Sequence, residues 1–396
     1  MKICIISNFY PPFFFGGERA IQREAEALIR RGHKVTVITS SPNHQCYEEM
    51  INGVLIERIV PHNIYPPYEF PTQPILKKVL FHALDVWNPL TFRVIKQALE
   101  KTKPEVVYLH NFKGLSTTVF SAVKNLRLPS VFCVNDYSLM CPRAFLVRSS
   151  GEICSNPPMA CRIYASMQRH LFEKNQPDLA ISPAQFTLDM FRQNGFLSNI
   201  ATQREAVGTE LTETKSLKNY DFIDILYVGG INKHKGVQVL MKAFIELKRQ
   251  NVRLHIVGRG SNIDEMNWLA GDTSNIIFHG FISDEKLVEL RNLANIAVVP
   301  SIWYDMAQGV ICESFNCGIP VIGSRIGGIP EFIEDGYNGY LVEAGNVLDL
   351  KNVLERLIDN PQELQRLEEG AFESRNKYDI EDHIYRLEKI FEGLRG

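Results

Sequence analysis

Several things this chain lacks narrow its class before any motif is read. No run approaches the roughly 20 apolar residues of a membrane-spanning helix, and no stretch has the composition of a disordered, collagenous or disulfide-stapled protein. The start, "MKICIISNFYPP", reads as a first strand and its loop rather than a signal peptide. Net charge is −2 with acids and bases interspersed, which argues against a nucleic-acid partner. Eight cysteines are spread without a pairing pattern, as suits a reducing, cytoplasmic setting. Cys141, Cys154 and Cys161 are close together, but their spacing matches no common zinc pattern, and buried or loop thiols are the plainer reading. Neither a D-x-D metal motif nor a G-x-G-x-x-G dinucleotide turn is present.

What is present is an ordinary globular balance, 45% hydrophobic and 22% charged over 396 residues, enough for two domains. Short β-branched runs alternate with helical stretches, the pattern of βαβ units and parallel sheets. "KICIIS", "KVTVITS", "EVVYLHN", "SVFCVND" and "PDLAISP" form one series; "IDILYVGG", "VRLHIVGRG", "NIIFHG", "NIAVVPS" and "IPVIGS" form a second. Polar residues 202–221 read as the connection between them. The expected division is 1–205, 206–375, and a helix over 376–396 packing back on the first domain. Residues 61–75 are proline-rich and irregular. Residues 76–101 read as one amphipathic helix carrying Leu76, Val79, Leu80, Leu84 and Val94, for core packing or, more sharply, for peripheral contact with a membrane surface.

Open parallel sheets bind ligands beyond the carboxyl ends of their strands, so the loops there are the places to look for chemistry. In "PSIWYDMAQGVICESFNCGIPVIG" a strand ends at Pro300, a loop carries Asp305, and a helix begins near Gly309 with Val310 and Glu313 in its first turns. Unpaired N–H groups and the helix dipole favour an anion such as a diphosphate at that start. The two carboxylates suit sugar or ribose hydroxyls, although, taken without their context, a helix cap for Asp305 and a solvated side chain for Glu313 are the plainer reading. The turn "YVGGINKHKG" brings Lys233, His234 and Lys235. "IVGRG" brings Arg259, and Gly16 and Gly17 precede a helix in the first half. His110 ends a strand, and Glu331 follows in "GGIPE".

The segment from Pro300 to Val342 resembles the donor-binding region of family 4 (group 1) glycosyltransferases, through P-S, an aromatic pair, two acids eight positions apart, C-G-x-P-V, G-G-x-P-E and G-x-x-G-x-L-V. The likeness extends to "NFYPP", "GGERA", "RGHKVTVIT", "KPEVVYLHN", "NDYSLMCPR" and "GGINKHKG". It implies an α/β GT-B fold: two Rossmann-like, doubly wound domains facing a central cleft, the first for the acceptor and the second for the donor. It also implies retaining, metal-independent transfer of a hexose, with no cofactor beyond the nucleotide-diphosphate sugar. The acceptor would be a saccharide or polyprenyl-linked saccharide, in bacterial surface polysaccharide assembly.

Carried over by position, Gly16, Gly17, Lys235, Arg259, Gly309, Val310 and Glu313 bind the donor, while Asp136, Asn135, Asp305 and His110 serve the sugar or acceptor. Three positions depart from the family pattern. Gly230 stands where an arginine is usual, Asn135 where a histidine is, and Asp305 where the first glutamate is. A weak or inactive nucleotide-sugar-binding partner subunit is therefore the alternative.

Overall fold

The computed structural model describes residues 1–12, 17–211, 218–306 and 308–395, giving the backbone alone for residues 70–72, 75 and 308. Gly16 and Ala307 lie outside the described residues. The chain divides into two compact units: Met1–Leu146, Ser155–Gly208 and Ile380–Gly396 form the first, and Val147–Cys154 with Thr209–Asp379 form the second. The junctions therefore fall at 208/209 and 379/380, three and four residues beyond the sequence-based boundaries. The strand Ala201–Arg204 takes the start of the expected connection into the first sheet. The excursion of 147–154 into the second unit has no signal in composition.

In the first unit the strands are β1 (Lys2–Ile6), β2 (Lys34–Ser40), β3 (Tyr47–Ile51), β4 (Val54–Ile59), β5 (Val106–Leu109), β6 (Ser130–Cys133), β7 (Leu179–Ser182) and β8 (Ala201–Arg204). They lie in the order β3-β4-β2-β1-β5-β6-β7-β8. Only β3 runs antiparallel, joined to β4 by the two-residue turn Asn52–Gly53, where both residues take positive φ. The inner strands are buried on both faces, which is why they read as continuous apolar runs rather than alternating ones.

Helix α1 (Glu18–Arg30) buries Ile21, Ala25 and Leu28, and also Glu24. The stretch expected as one helix is two, α2 (Ile75–Val86) and α3 (Pro89–Thr102). The break has a local cause. Pro89 at the first helical position cannot continue a preceding helix, and the Asn88 side chain caps the second by accepting from Leu90 and Thr91 N–H. Core packing fails for Leu76, Val79 and Leu80, which are exposed; Phe81, Val86, Ile95 and Leu99 face inward instead. Helices α4 (Thr118–Asn125), α5 (Met159–Lys174) and α6 (Gln185–Gln193) complete the crossovers.

The second sheet is wholly parallel, in the order β11-β10-β9-β12-β13-β14. Its strands are β9 (Ile223–Val228), β10 (Val252–Val257), β11 (Ile276–Gly280), β12 (Ile296–Val299), β13 (Val321–Ser324) and β14 (Gly339–Val342). Its helices are α7 (Val237–Leu247), α8 (Ile263–Ala270), α9 (Asp284–Leu293), α10 (Gln308–Asn316), α11 (Val347–Asp359) and α12 (Pro361–Ser374). In each sheet the order reverses beside the first strand, between β1 and β5 and between β9 and β12. Loops leaving such neighbours diverge and open a crevice at the strand ends.

The last helix, α13 (Ile380–Arg395), belongs to the first unit. Ile380, Ile384, Leu387 and Phe391 join the core of Ile3, Ile5 and Tyr108. Each such side chain contributes roughly 1.5–3 kcal/mol when fully buried. Deleting the chain from Ile380 onward should therefore abolish the cooperative unfolding transition of the first unit in a circular-dichroism melt. A truncated protein melting with an unchanged profile would contradict this packing.

Candidate functional site

In the second unit the loops after β9 and β12 meet at the reversal point. Gly236, with φ 76°, passes so close to Pro300 that an added Cβ would lie 1.7 Å from the carbonyl oxygen. Gly258 and Gly260 approach Gly229 and Ile231 in the same way, at 1.9 and 2.2 Å. The Tyr227 hydroxyl donates to the Gly230 carbonyl at 2.8 Å and fixes the turn from below. These contacts aim Lys235 at the loop before α10. Its Nζ lies 2.7 Å from Asp305 Oδ2 and 5.2 Å from the Trp303 ring centroid. The Ser301 hydroxyl donates to the same carboxylate oxygen at 2.6 Å.

Asp305 is buried, and a charge removed from water needs a partner. Lys235 is that partner, and about a third of its side chain stays exposed, so the ammonium reaches both the carboxylate and the surface. Helix α10 begins three residues later. A Cβ on Gly309 would meet nothing within 4 Å, so the first turn of α10 has open space at that position, where N–H groups and helix dipole favour an anion. Val310 is half-buried beside it. Glu313, one turn on, is held by the Arg291 guanidinium through Oε2.

The other expected donor residues are less central. Arg259 is exposed and stacks its guanidinium 5.6 Å from the Phe281 ring centroid. Lys233 is an exposed turn residue whose carbonyl accepts from Gln238. His234 meets the Trp303 ring edge-on, and Glu331 lies in a short 3-10 turn after β13. Among the described residues no group of three His, Cys, Asp or Glu could hold a metal, Cys141, Cys154 and Cys161 included.

In the first unit the matching position is the end of β1 and β5. Gly17 precedes α1, where a Cβ would make only an ordinary 3.6 Å contact with Asn111. Asp136 accepts from Ser138 N–H at 2.8 Å, and burial raises its carboxyl above the usual range. Asn135 is half-buried, with Nδ2 3.1 Å from His110 Nδ1.

His110 departs from its expected role as a group touching sugar or acceptor. Its side chain is 2% exposed and both ring nitrogens face protein, Nε2 lying 3.5 Å from Glu24 Oε2. Burial lowers its pKa to about 4, so the ring is neutral near pH 7 and stands behind Asn135 as a hydrogen-bond partner. Sequence reasoning missed Ser301, Trp303, Arg291 and Glu24. Of these, the S-x-W spacing ahead of Asp305 and a glutamate on the apolar face of α1 were visible signals.

Two family models together account for most of the chain: Glycosyltransferase Family 4 over residues 15–201 and Glycosyl transferases group 1 over residues 209–374. An uncharacterized 42.6 kDa protein in the cps region of Klebsiella pneumoniae is 24% identical, over 87% of this chain and 90% of its own. A GDP-mannose-dependent alpha-mannosyltransferase of Corynebacterium glutamicum is 24% identical, over 89% of this chain and 79% of its own. The crystal structure of Anabaena HepE in complex with UDP superposes with a TM-score of 0.75 at 18% identity, over 99% of this chain and all of its own. The fold is GT-B.

The close approach at Gly236 gives a direct test of this loop arrangement. Gly236→Ala combines a positive φ, costing an L-residue roughly 1–2 kcal/mol, with a carbonyl clash, and should destabilise the second unit by more than about 2 kcal/mol. Chemical denaturation measures it, and a neutral substitution would contradict the packing.

Proposed function

Because this chain belongs to the group 1, family 4 glycosyltransferases, we propose that it is a retaining, metal-independent enzyme moving a hexose from a nucleotide-diphosphate sugar to a saccharide or polyprenyl-linked saccharide. The observation that carries the reading is the Lys235 ammonium, fixed 2.7 Å from Asp305, which itself stands three residues ahead of α10. As the nucleotide departs, negative charge grows on the phosphate oxygen that leaves C1. An ammonium and aligned N–H groups already in place stabilise that charge without reorganising. Lys235 would take the diphosphate together with the start of α10, Glu313 the ribose, and Asp305 a hydroxyl of the donor sugar.

In the transfer itself the C1–O bond to phosphate breaks and a C1–O bond to the acceptor forms on the same face. The acceptor hydroxyl proton passes to the departing phosphate oxygen. Asp136 and Asn135 would orient sugar or acceptor hydroxyls. Transfer of an alpha-mannosyl group by the corynebacterial relative named for GDP-mannose, whose sugar–phosphate bond is itself alpha, supports retention. The Klebsiella relative from the cps region supports a role in surface polysaccharide synthesis. Exposed Leu76, Val79 and Leu80 on α2, beside Lys77 and Lys78, suit peripheral contact with a membrane surface.

A thermal-shift panel of UDP-, GDP-, ADP- and TDP-sugars should show stabilisation by one nucleotide class. Lys235→Ala should weaken that nucleotide about 10- to 100-fold. NMR of the product anomer should show retained configuration, and an inverted linkage would refute the mechanism.

The second reading, a binding subunit without turnover, is favoured by one feature. Lys235 is already paired with Asp305, Lys233 is an exposed turn residue, and Gly230 supplies no cation where the family pattern has an arginine. Gly230→Arg separates the two readings. A Cβ there would meet only the Asn232 amide, at 2.9 Å, and the Arg259 carbonyl at 3.9 Å, so the turn accommodates a side chain if Asn232 rotates. A tenfold or greater gain in transfer or donor hydrolysis marks a weakened enzyme, and no activity with any donor supports the binding role.

A further inference from the structure

Behind Asn135 the first unit buries more ionisable groups than its core needs. Glu24 on α1, Glu205 after β8, and His383 on α13 are each at most 3% exposed. His383 lies between the carboxylates, Nε2 3.0 Å from Glu24 Oε1 and Nδ1 2.9 Å from Glu205 Oε1. Carboxylates only accept, so both ring nitrogens carry protons and the ring is an imidazolium. Arg386 adds a second cation, Nε lying 2.8 Å from Glu205 Oε1. Two anions and two cations balance, as burial demands.

Glu24 then has a second oxygen, and His110 Nε2 faces it at 3.5 Å. Neither atom makes a hydrogen bond within the described residues, so the link between them is the Glu24 charge acting on the facing ring nitrogen at 3.5 Å. At the far side of His110 the Asn135 amide is oriented by Cys133, whose thiol donates to Oδ1 at 3.2 Å. That turns Nδ2 towards His110 Nδ1, which must accept. His110 is thereby fixed as the neutral ring protonated on Nε2. Tyr108 and Cys133, which also face the cluster, stay protonated because burial raises both.

We propose that His383 and Glu24 are positioning residues for Asn135: the imidazolium on the last helix anchors Glu24, Glu24 fixes the His110 tautomer, and His110 holds the Asn135 amide in its ligand-facing orientation. The inference rests on the reading of Asn135 as a group that meets sugar or acceptor. It gives α13 a role beyond covering the core, because one end of this relay is on that helix.

The test uses His383→Gln in the full chain with ¹⁵N-labelled histidine and asparagine. In the unsubstituted protein His110 should show the neutral, Nε2-protonated pattern down to about pH 4. Without the imidazolium, the Glu24 charge is uncompensated, and His110 should bind its proton at least tenfold more tightly, with the Asn135 side-chain amide resonance moving in step. kcat should fall at least tenfold while binding of the nucleoside diphosphate identified by the thermal-shift panel, measured by calorimetry, stays within twofold.

An unchanged His110 titration and Asn135 resonance in a folded variant would overturn the proposal, because a merely structural histidine would leave both in place. Should His383→Gln not fold, Glu205→Gln is expected to lower the proton affinity of His383, and once His383 is neutral His110 should again bind its proton more tightly, with the same overturning result. If the unsubstituted protein transfers no sugar, the resonance measurements still decide the relay, and the missing activity counts against the proposed function alone.

Discussion

The second unit depends on how closely its loops can approach one another at the strand ends. Gly236 against Pro300, Gly258 against Gly229 and Gly260 against Ile231 are backbone-on-backbone contacts with no room for a side chain. They bring the turn after β9 under the loop after β12, so Lys235 arrives at Asp305 rather than at bulk water. A glycine-rich turn such as "YVGGINKHKG" can cradle a phosphate with its own backbone. Gly236 instead serves the packing that holds the cradle, and the open space lies at Gly309. The distinction matters for the chemistry, since a preformed cation stabilises developing charge only if it need not move.

The first unit solves a similar positioning problem with charge. Its reversal point lies between β1 and β5, and the groups there are held by a buried cluster spanning α1, the segment after β8, and α13. Burying the charges of Glu24, Glu205 and His383 is tolerated only when each is matched, with the part-exposed Arg386 completing the balance, and the matching ties three distant parts of the chain to one geometry. A second buried set supports the neighbouring loop. Lys113 pairs with Asp85 at 2.6 Å, and the Tyr164 hydroxyl donates to the Ser138 carbonyl at 2.9 Å, two residues past Asp136.

Much of this architecture was legible in the sequence because it follows from periodicity. Apolar β-branched runs alternating with amphipathic helices specify parallel sheets, and both five-strand series appear as expected. The elements missed were those whose signal is local. The Asn52–Gly53 hairpin has a turn signature inside a polar stretch, and Asn88–Pro89 is a cap and first-turn pair that a search for apolar period overlooks. The helix start at Gln308, Lys235 facing Asp305, and Asp136 beside Asn135 were within reach of motif reasoning. The His110–Glu24–His383 relay was not, because its two contacts join residues 86 and 359 positions apart along the chain and only tertiary packing brings them together.

The three departures from the family pattern can now be weighed physically. Asp305 is one methylene shorter than glutamate, and its carboxylate oxygen is already shared by Ser301 and Lys235. A donor hydroxyl must join that arrangement rather than find an unoccupied acceptor. The Lys235 charge is partly neutralised by the same pairing, so an arriving diphosphate meets less net attraction than a lone ammonium would give, yet one pre-oriented by two neighbours. With glycine at 230 the remaining electrostatic pull comes from the α10 dipole, worth up to about 2 kcal/mol in a partly buried geometry. On the proposed function, the pairing of Lys235 with Asp305 makes this a site built for orientation more than for strong anion capture.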